Sequence, residues 1–559
     1  FCESMPAYME AIRLAKRSRA AENRKVPWMV FRYGRAYWNA SATKRALAKV
    51  PGFDEEKFDQ DLGIQKVYGR QGPLRVPFNL WTVLPALPVA LALNREYRRR
   101  LEMARRWKGA CIAEAKSFLD RAAQFHHVPA ADFWPQVLQA LDFQNRAETA
   151  YFTTIYNNAN AQSDFKAYVA RMDAAVGGST SVIRLIGGLE GVSHLEIQRG
   201  LIRLHAVAGT FGMGSPEFAR ELKTYMGDHA YHADAELDLL CPRWGEDPTL
   251  VRAVVERMIA TGTAPADPDR ASRRQRAEYE AEIQSVEARL KAAPGGTRKF
   301  SGGFRRHLKR VREYLFWREE MRDCSTRAYH VVRLHLLEAG RRMAEEGFLR
   351  NAEDVFFLDT GELRAIAAGT LSDGGAARLP GDIRHRRLMF AGLRDLIPPN
   401  EFGRGVVQKG SEATLSAQAD GRPAYQGLGC SPGSYEGPVR VVVNLADSGS
   451  LREGEILVTK FTDPGWTPVL GLVKGIVTEV GGLLSHAAVI GREYGIPAVL
   501  NLPGATQNLR TGMRVRIEGD TGRVVLLDAE PSGAAVPGLP VELAVELATE
   551  PAPTKALSQ

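Results

Sequence analysis

The stretch that most constrains this chain runs from Gly475 to Val499, GIVTEVGGLLSHAAVIGREYGIPAV. Gly475 to Glu479 is short, apolar and bounded by glycine, which predicts a buried strand. Gly481 and Gly482 permit a tight turn with close backbone approach. Ser485 stands at an N-cap position, and His486 to Tyr494 reads as an amphipathic helix stopped by Gly495 and Pro497. His486 thus falls in a first helical turn, beside unpaired backbone N–H groups and the positive end of the helix dipole. A phosphate carried on its imidazole would be well stabilised there. By itself, a histidine at a helix start is more often a polar surface residue.

The whole string resembles the phosphohistidine domain shared by phosphoenolpyruvate synthase, pyruvate phosphate dikinase, rifampicin phosphotransferase and phenylphosphate synthase. The resemblance rests on Gly481-Gly482, Ser485-His486-Ala487, Arg492-Glu493 and Gly495 to Val499. Gly491, where alanine is usual, and Leu500-Asn501, where Val-Gly is usual, depart from the pattern without touching the histidine. It implies that His486 carries a phosphoryl group. Thr462-Asp-Pro-Gly-Trp-Thr-Pro468 also matches these relatives and bends the chain near the turn, adding Thr462 to Gly481, Gly482 and Ser485.

A chain of 559 residues has room for two or more domains, and 45% hydrophobic with 25% charged residues is an ordinary globular balance. Net charge is +9, with clusters at Arg98–Arg100, Arg105-Arg106 and Arg273-Arg274. These read as solvated helix faces; no nucleic-acid motif accompanies them, so nucleic acid is not an expected partner. Five scattered cysteines without metal-ligand spacing favour a reducing cytoplasm. No signal peptide is evident, and because the chain opens at Phe1 a few residues are expected upstream. Val76 to Leu93 is the most apolar stretch, but Pro77, Pro85 and Pro88 argue for a buried packing element, not a membrane span.

Helical spacing predicts helices over Ala7–Ala21, Arg95–Phe125, Ala131–Arg171, Ser181–Gly209 with a break at Gly187-Gly188, Arg270–Ala293 and Phe304–Glu345. No phosphate loop or dinucleotide fingerprint occurs. His232, Asp234, Glu236 and Asp238 alternate, so in an extended segment they would share one side, with Leu237 and Leu239 toward the core. A surface loop before a helix at Asp247-Pro248 is the plainer reading. Arg318 and Arg322 lie one turn apart and could clamp a phosphate, though an ordinary surface pair screened by Glu319 has the same pattern. The stretch from Glu236 to Pro248, including Asp238 and Arg243, resembles the acceptor domain of rifampicin phosphotransferase and phenylphosphate synthase. Arg318, Glu319 and Arg322 resemble its acceptor-site helix, with Arg322 where some relatives have lysine. Asn351 to Asp359 resembles the family's closing strand and turn.

The expected architecture is a large, mainly α-helical acceptor domain (residues 1–402), a flexible linker (403–428), a small α/β swivelling phosphohistidine domain (429–530) and a disordered tail (531–559). Neither an ATP-grasp module nor a (β/α)8 barrel is recognisable in the sequence, so ATP and Mg2+ are expected mainly on a separate ATP-grasp subunit, as in phenylphosphate synthase. The resemblance implies that ATP's β-phosphoryl group reaches His486, leaving AMP and phosphate. It then passes to a small phenolic hydroxyl between Arg318 and Arg322. His232 is the expected proton acceptor, oriented by Glu236 or Asp238. Two alternatives are an aliphatic hydroxyl of an antibiotic as acceptor, and a phosphocarrier without acceptor chemistry.

Overall fold

The structure is a computed structural model and describes residues 4–15, 25–32, 35–61, 72–262, 267–293, 297–394, 402–403, 415–417, 422–483 and 485–528. A large helical region precedes a small mixed α/β domain, the order expected. Three long helices, Leu80–Ala122, Ala130–Val176 and Thr297–Glu345, form the frame of the first. The first begins at an Asn79–Thr82 capping box, and the second ends at Gly177, whose φ of 80° no ordinary side chain favours. Phe118, Phe133, Phe143, Val331 and Leu336 fill one core between them. Phe165, Met172, Leu185, Val286, Phe304 and Val311 fill a second, against the helix Pro268–Ala292. The shorter helices His194–Phe211, Pro216–His229 and Thr249–Thr261 enclose Leu201, Phe218, Tyr225, Trp244 and Val255.

Several expectations for this region are corrected. A hairpin, β1 (Met29–Arg32) with β2 (Arg35–Trp38), interrupts the expected all-helical start. The apolar stretch Val76–Leu93 is not buried: Leu80, Trp81, Leu84, Leu87 and Leu91 face solvent, and Pro85 and Pro88 are accommodated inside the helix. Asn351 to Asp359 forms a 3-10 helix, Ala352–Phe357, in place of a strand, because Asn351 and Asp354 close a capping box there. Residues 232–238 form a loop, the plainer of the two readings, but one that buries His232 and Glu236 while Leu237 and Asp238 are exposed.

The C-terminal domain is one sheet of nine strands among the described residues: β3 (Leu415–Ala417), β4 (Pro423–Gln426), β5 (Leu428–Ser431), β6 (Ser434–Val441), β7 (Ile456–Thr459), β8 (Gly475–Thr478), β9 (Ala498–Leu500), β10 (Arg514–Glu518) and β11 (Arg523–Leu526). They lie in the order β3-β4-β11-β10-β6-β7-β8-β9-β5, with β6 to β9 parallel. Strands β3 and β4 arise inside the stretch expected as a linker. Most of that linker's remainder, and all of 531–559, lie outside the described residues. The period-two pattern sorts the two faces. Ile456, Val458, Val477 and Val499 pack with Val515, Ile517 and Val524. Leu457, Ile476, Ala498 and Leu500 lie on the other side with Ala487, Ala488 and Ile490 of the helix His486–Tyr494. Leu195, Val254 and Met258 of the helical region join that second core, so the two regions share apolar packing. No described helix is long and apolar enough to cross a membrane.

Candidate active site

His486 is placed by β8, the glycine turn and the helix that follows. Gly481 has φ of 137°, and a Cβ there would meet Ser485 Oγ at 3.0 Å. Ser485 is the N-cap, but its hydroxyl donates back to the Gly482 carbonyl (2.9 Å) instead of capping the helix. The first-turn N–H groups are left without that side-chain acceptor. Arg492, buried, ties the turn down from below, donating to the carbonyls of Leu483 (3.0 Å) and Cys430 (2.9 Å).

The imidazole faces the helical region. Its Nε2 is 3.4 Å from Thr467 Oγ1, and the hydroxyl of Thr462 is buried without a partner among the described residues. Burial first, then the positive potential of His194, Arg322, Arg318 and His232, holds the His486 pKa well below the usual histidine range. The ring is therefore neutral, with a lone pair free to accept phosphorus. All four of those neighbours belong to the other region.

Arg322 sits at the junction. One guanidinium nitrogen lies 3.3 Å from Glu236 Oε2 and 3.6 Å from Asp463 Oδ1, so it bridges the helical region and the sheet domain. Burial works against its charge, but Tyr151, Glu236, Asp463 and Glu148 outweigh that and raise its pKa. Burial pushes Asp463 up to about 6 despite Arg322. Glu236 is fully buried, and it is nevertheless held below the ordinary carboxyl range: desolvation is overcome by the His232 hydrogen bond, His232 and Arg322 charge, and Thr326. His232 Nδ1 is 2.6 Å from Glu236 Oε1, and Thr326 Oγ1 donates to Oε2 at 2.7 Å. An ionised Glu236 fixes the tautomer with the proton on Nδ1 and the lone pair on Nε2. Arg318 pairs with Glu319 at 3.0 Å, and Glu319 Oε2 is 4.0 Å from His194 Nδ1. Two His–Glu–Arg sets thus flank His486: His232–Glu236–Arg322 and His194–Glu319–Arg318.

Arg318, Arg322, Glu319, His232 and Glu236 are brought together near His486, and Thr462 directly precedes Asp463, which reaches Arg322. Asp238 and Arg243 are not. Asp238 is exposed, and its carboxylate accepts from Leu240 N–H at 2.8 Å. Arg243 is fully buried and braces the loop, donating to the carbonyls of Glu236 (3.0 Å) and Asp238 (3.2 Å). Sequence reasoning took only Thr462 from the matched stretch that also holds Asp463 and Thr467, and it passed over His194, which has no local signal. Among the described residues no group of three His, Cys, Asp or Glu side chains could hold a metal ion. Near His486 the carboxylates are already engaged by arginine or histidine, so the site does not fit Mg2+.

Residues 451–522 match the PEP-utilising enzyme mobile domain, and residues 162–319 match the rifampicin phosphotransferase fourth domain. Rifampicin phosphotransferase of Streptomyces sviceus is 34% identical over 319 residues, covering 56% of this chain and 35% of that protein. The Bacillus subtilis rifampicin phosphotransferase is 32% identical over 302 residues, 54% of this chain and 33% of its own. A prodigiosin synthesizing transferase of Serratia marcescens is 34% identical over 303 residues, 53% and 32%. The chain therefore spans about a third of the length of these relatives.

Proposed function

Because the chain carries the mobile domain of the PEP-utilising enzymes and is related to the rifampicin phosphotransferases, we propose that it is the phosphohistidine-bearing and acceptor-binding part of an ATP-dependent phosphotransferase. The observation that carries this reading is the seating of His486 among Arg318, Arg322, His232 and His194 of the other region. Charging with ATP and Mg2+ is assigned to an ATP-grasp partner module. The phosphoryl group then moves in one step. The acceptor oxygen forms its bond to phosphorus while the P–Nε2 bond breaks, returning its electron pair to the His486 ring. The hydroxyl proton goes to His232 Nε2, and Glu236 stabilises the resulting imidazolium. Arg318 and Arg322 meet the charge on the equatorial oxygens, where most of the catalysis of such a transfer resides.

The relatives favour an antibiotic-type hydroxyl as acceptor over the phenolic hydroxyl expected from the sequence, since rifampicin phosphotransferases are among the matches. Two His–Glu–Arg sets facing the phosphoryl position weigh against a bare phosphocarrier. The test is to charge the protein with labelled ATP and its ATP-grasp partner, then offer rifampicin or phenol. The wild type should hold an acid-labile, base-stable label that rifampicin discharges faster than phenol. His486→Ala should hold none. Label retained in that variant overturns the reading, and faster discharge by phenol restores the phenolic acceptor.

A further inference from the structure

His194 opens the helix His194–Phe211 and is held there by design of its neighbours. The fully buried Glu320 accepts from both Ser193 N–H (2.8 Å) and Ser193 Oγ (2.7 Å), and Lys108 pairs with the same carboxylate. The residue before His194 is therefore anchored to the helix that carries Arg318 and Arg322. The His194 side chain is 9% exposed. Its Nδ1 faces Glu319 at 4.0 Å, while its Nε2 is buried with no partner among the described residues. A buried ring nitrogen left unpaired costs free energy that a ligand could recover. His486 is its neighbour across the interface.

We propose that His194 is a further phosphoryl-binding residue, donating from Nε2 to a phosphoryl oxygen carried on His486 when the two regions are docked. This rests on the phosphohistidine reading above. The groups facing His194 are Glu319, Arg318 and Asp323 on one helix, His232 in the adjoining loop, and His486 in the sheet domain. In the unphosphorylated protein burial, against Glu319, lowers its affinity for a proton. A phosphoryl dianion adds negative charge on the Nε2 side, so His194 takes a proton from solvent and both ring nitrogens become partnered. The proton leaves again once the phosphoryl group has passed to the acceptor. No bond other than N–H is made or broken at His194. Because the contact exists only in the docked arrangement, it acts on transfer and leaves charging untouched.

The test uses phosphoramidate, a small phosphoryl donor that needs no partner protein, on the full chain, followed by 31P NMR across pH. Wild type, His194→Phe and His194→Gln should all label, and His486→Ala should not. The wild-type phosphorus resonance should show an added inflection from His194, which the Phe variant lacks. Discharge to rifampicin should fall by roughly 10²–10³ in the Phe variant, the usual cost of one preorganised donor, and recover in part with Gln, which keeps an N–H. Normal label with an unchanged titration and discharge in His194→Phe overturns the assignment to His194. Absence of label in the wild type, or label surviving in His486→Ala, overturns the phosphohistidine reading instead.

Discussion

Asp238 and Arg243 separate two kinds of polar residue that a sequence cannot tell apart. Both lie in a stretch shared with relatives, yet one is solvated and the other spends its guanidinium on loop carbonyls. Asp238→Asn should therefore change single-turnover discharge of the charged protein by less than about twofold. Arg243→Ala should instead lower the melting temperature, since it orphans two carbonyls at a cost on the order of 1–3 kcal/mol each where buried. Loss of discharge in Asp238→Asn without loss of stability would return Asp238 to the site. His486 was legible because a long motif surrounds it, and Arg318 and Arg322 because their helix resembles the family's acceptor-site helix, spacing alone fitting a surface pair equally well. His194 was not: its partners Glu319 and Ser193–Glu320 are more than a hundred residues apart in sequence and meet only through tertiary packing.

At the scale of elements, hydrophobic period was a good guide and local turn chemistry a poorer one. Strand β8 and the helix His486–Tyr494 fall close to where the pattern put them, since a strand buried on both faces reads as an apolar run. The exposed Leu80–Leu91 face went against expectation because apolarity alone does not say which side of a helix has a neighbour. The alternation from His232 to Asp238 would have suited an extended segment, but the segment is the loop of the plainer reading, folded around the buried Arg243 and Glu236. What positions the site most tightly is a contact between two turns. A Cβ on Gly465 would lie 2.1 Å from the carbonyl oxygen of Ala233, next to His232. Both partners are backbone, so neither can yield as a side-chain end would. Gly465→Ala should therefore hold the sheet domain away from the helical region. Phosphoramidate labelling of His486 should stay within about twofold of wild type while discharge to acceptor falls by roughly 10²-fold, the scale of a misplacement near 1 Å. Equal discharge in both proteins would mean that this contact is not part of the transferring arrangement.

For the whole molecule, the two regions are joined by an apolar core and by polar contacts whose charge state matters. Arg257 donates to the Ser448 carbonyl (2.7 Å), Arg274 to that of Gly495 (2.9 Å), and Leu189 N–H to Glu493 Oε1 (3.2 Å). Glu493 is pushed up to about 7, by burial first, and Asp463 to about 6 by the same cause. Both carboxyls lie at the junction, so separation of the regions gives them back to water and to their ordinary values near 4. The docked form then binds more protons than the separated form between about pH 4 and 7. Docking is therefore strongest below that window and weakens as pH rises through about 6 and 7, the opposite of a carboxylate whose pKa is depressed by its partner. Each group should shift the docking equilibrium by on the order of a hundredfold or more across the window, given that one pKa unit is a tenfold change. Small-angle scattering of the uncharged protein from pH 4.5 to 8 should show a growing extended fraction, and Glu493→Gln with Asp463→Asn should flatten that dependence. A phosphoryl group on His486 would compete with Asp463 for Arg322, so the charged protein should follow a different curve. A pH-independent docked fraction in the wild type would mean that these carboxyls keep their burial when the regions part, and that the weakening of the interface must come from the phosphoryl group alone.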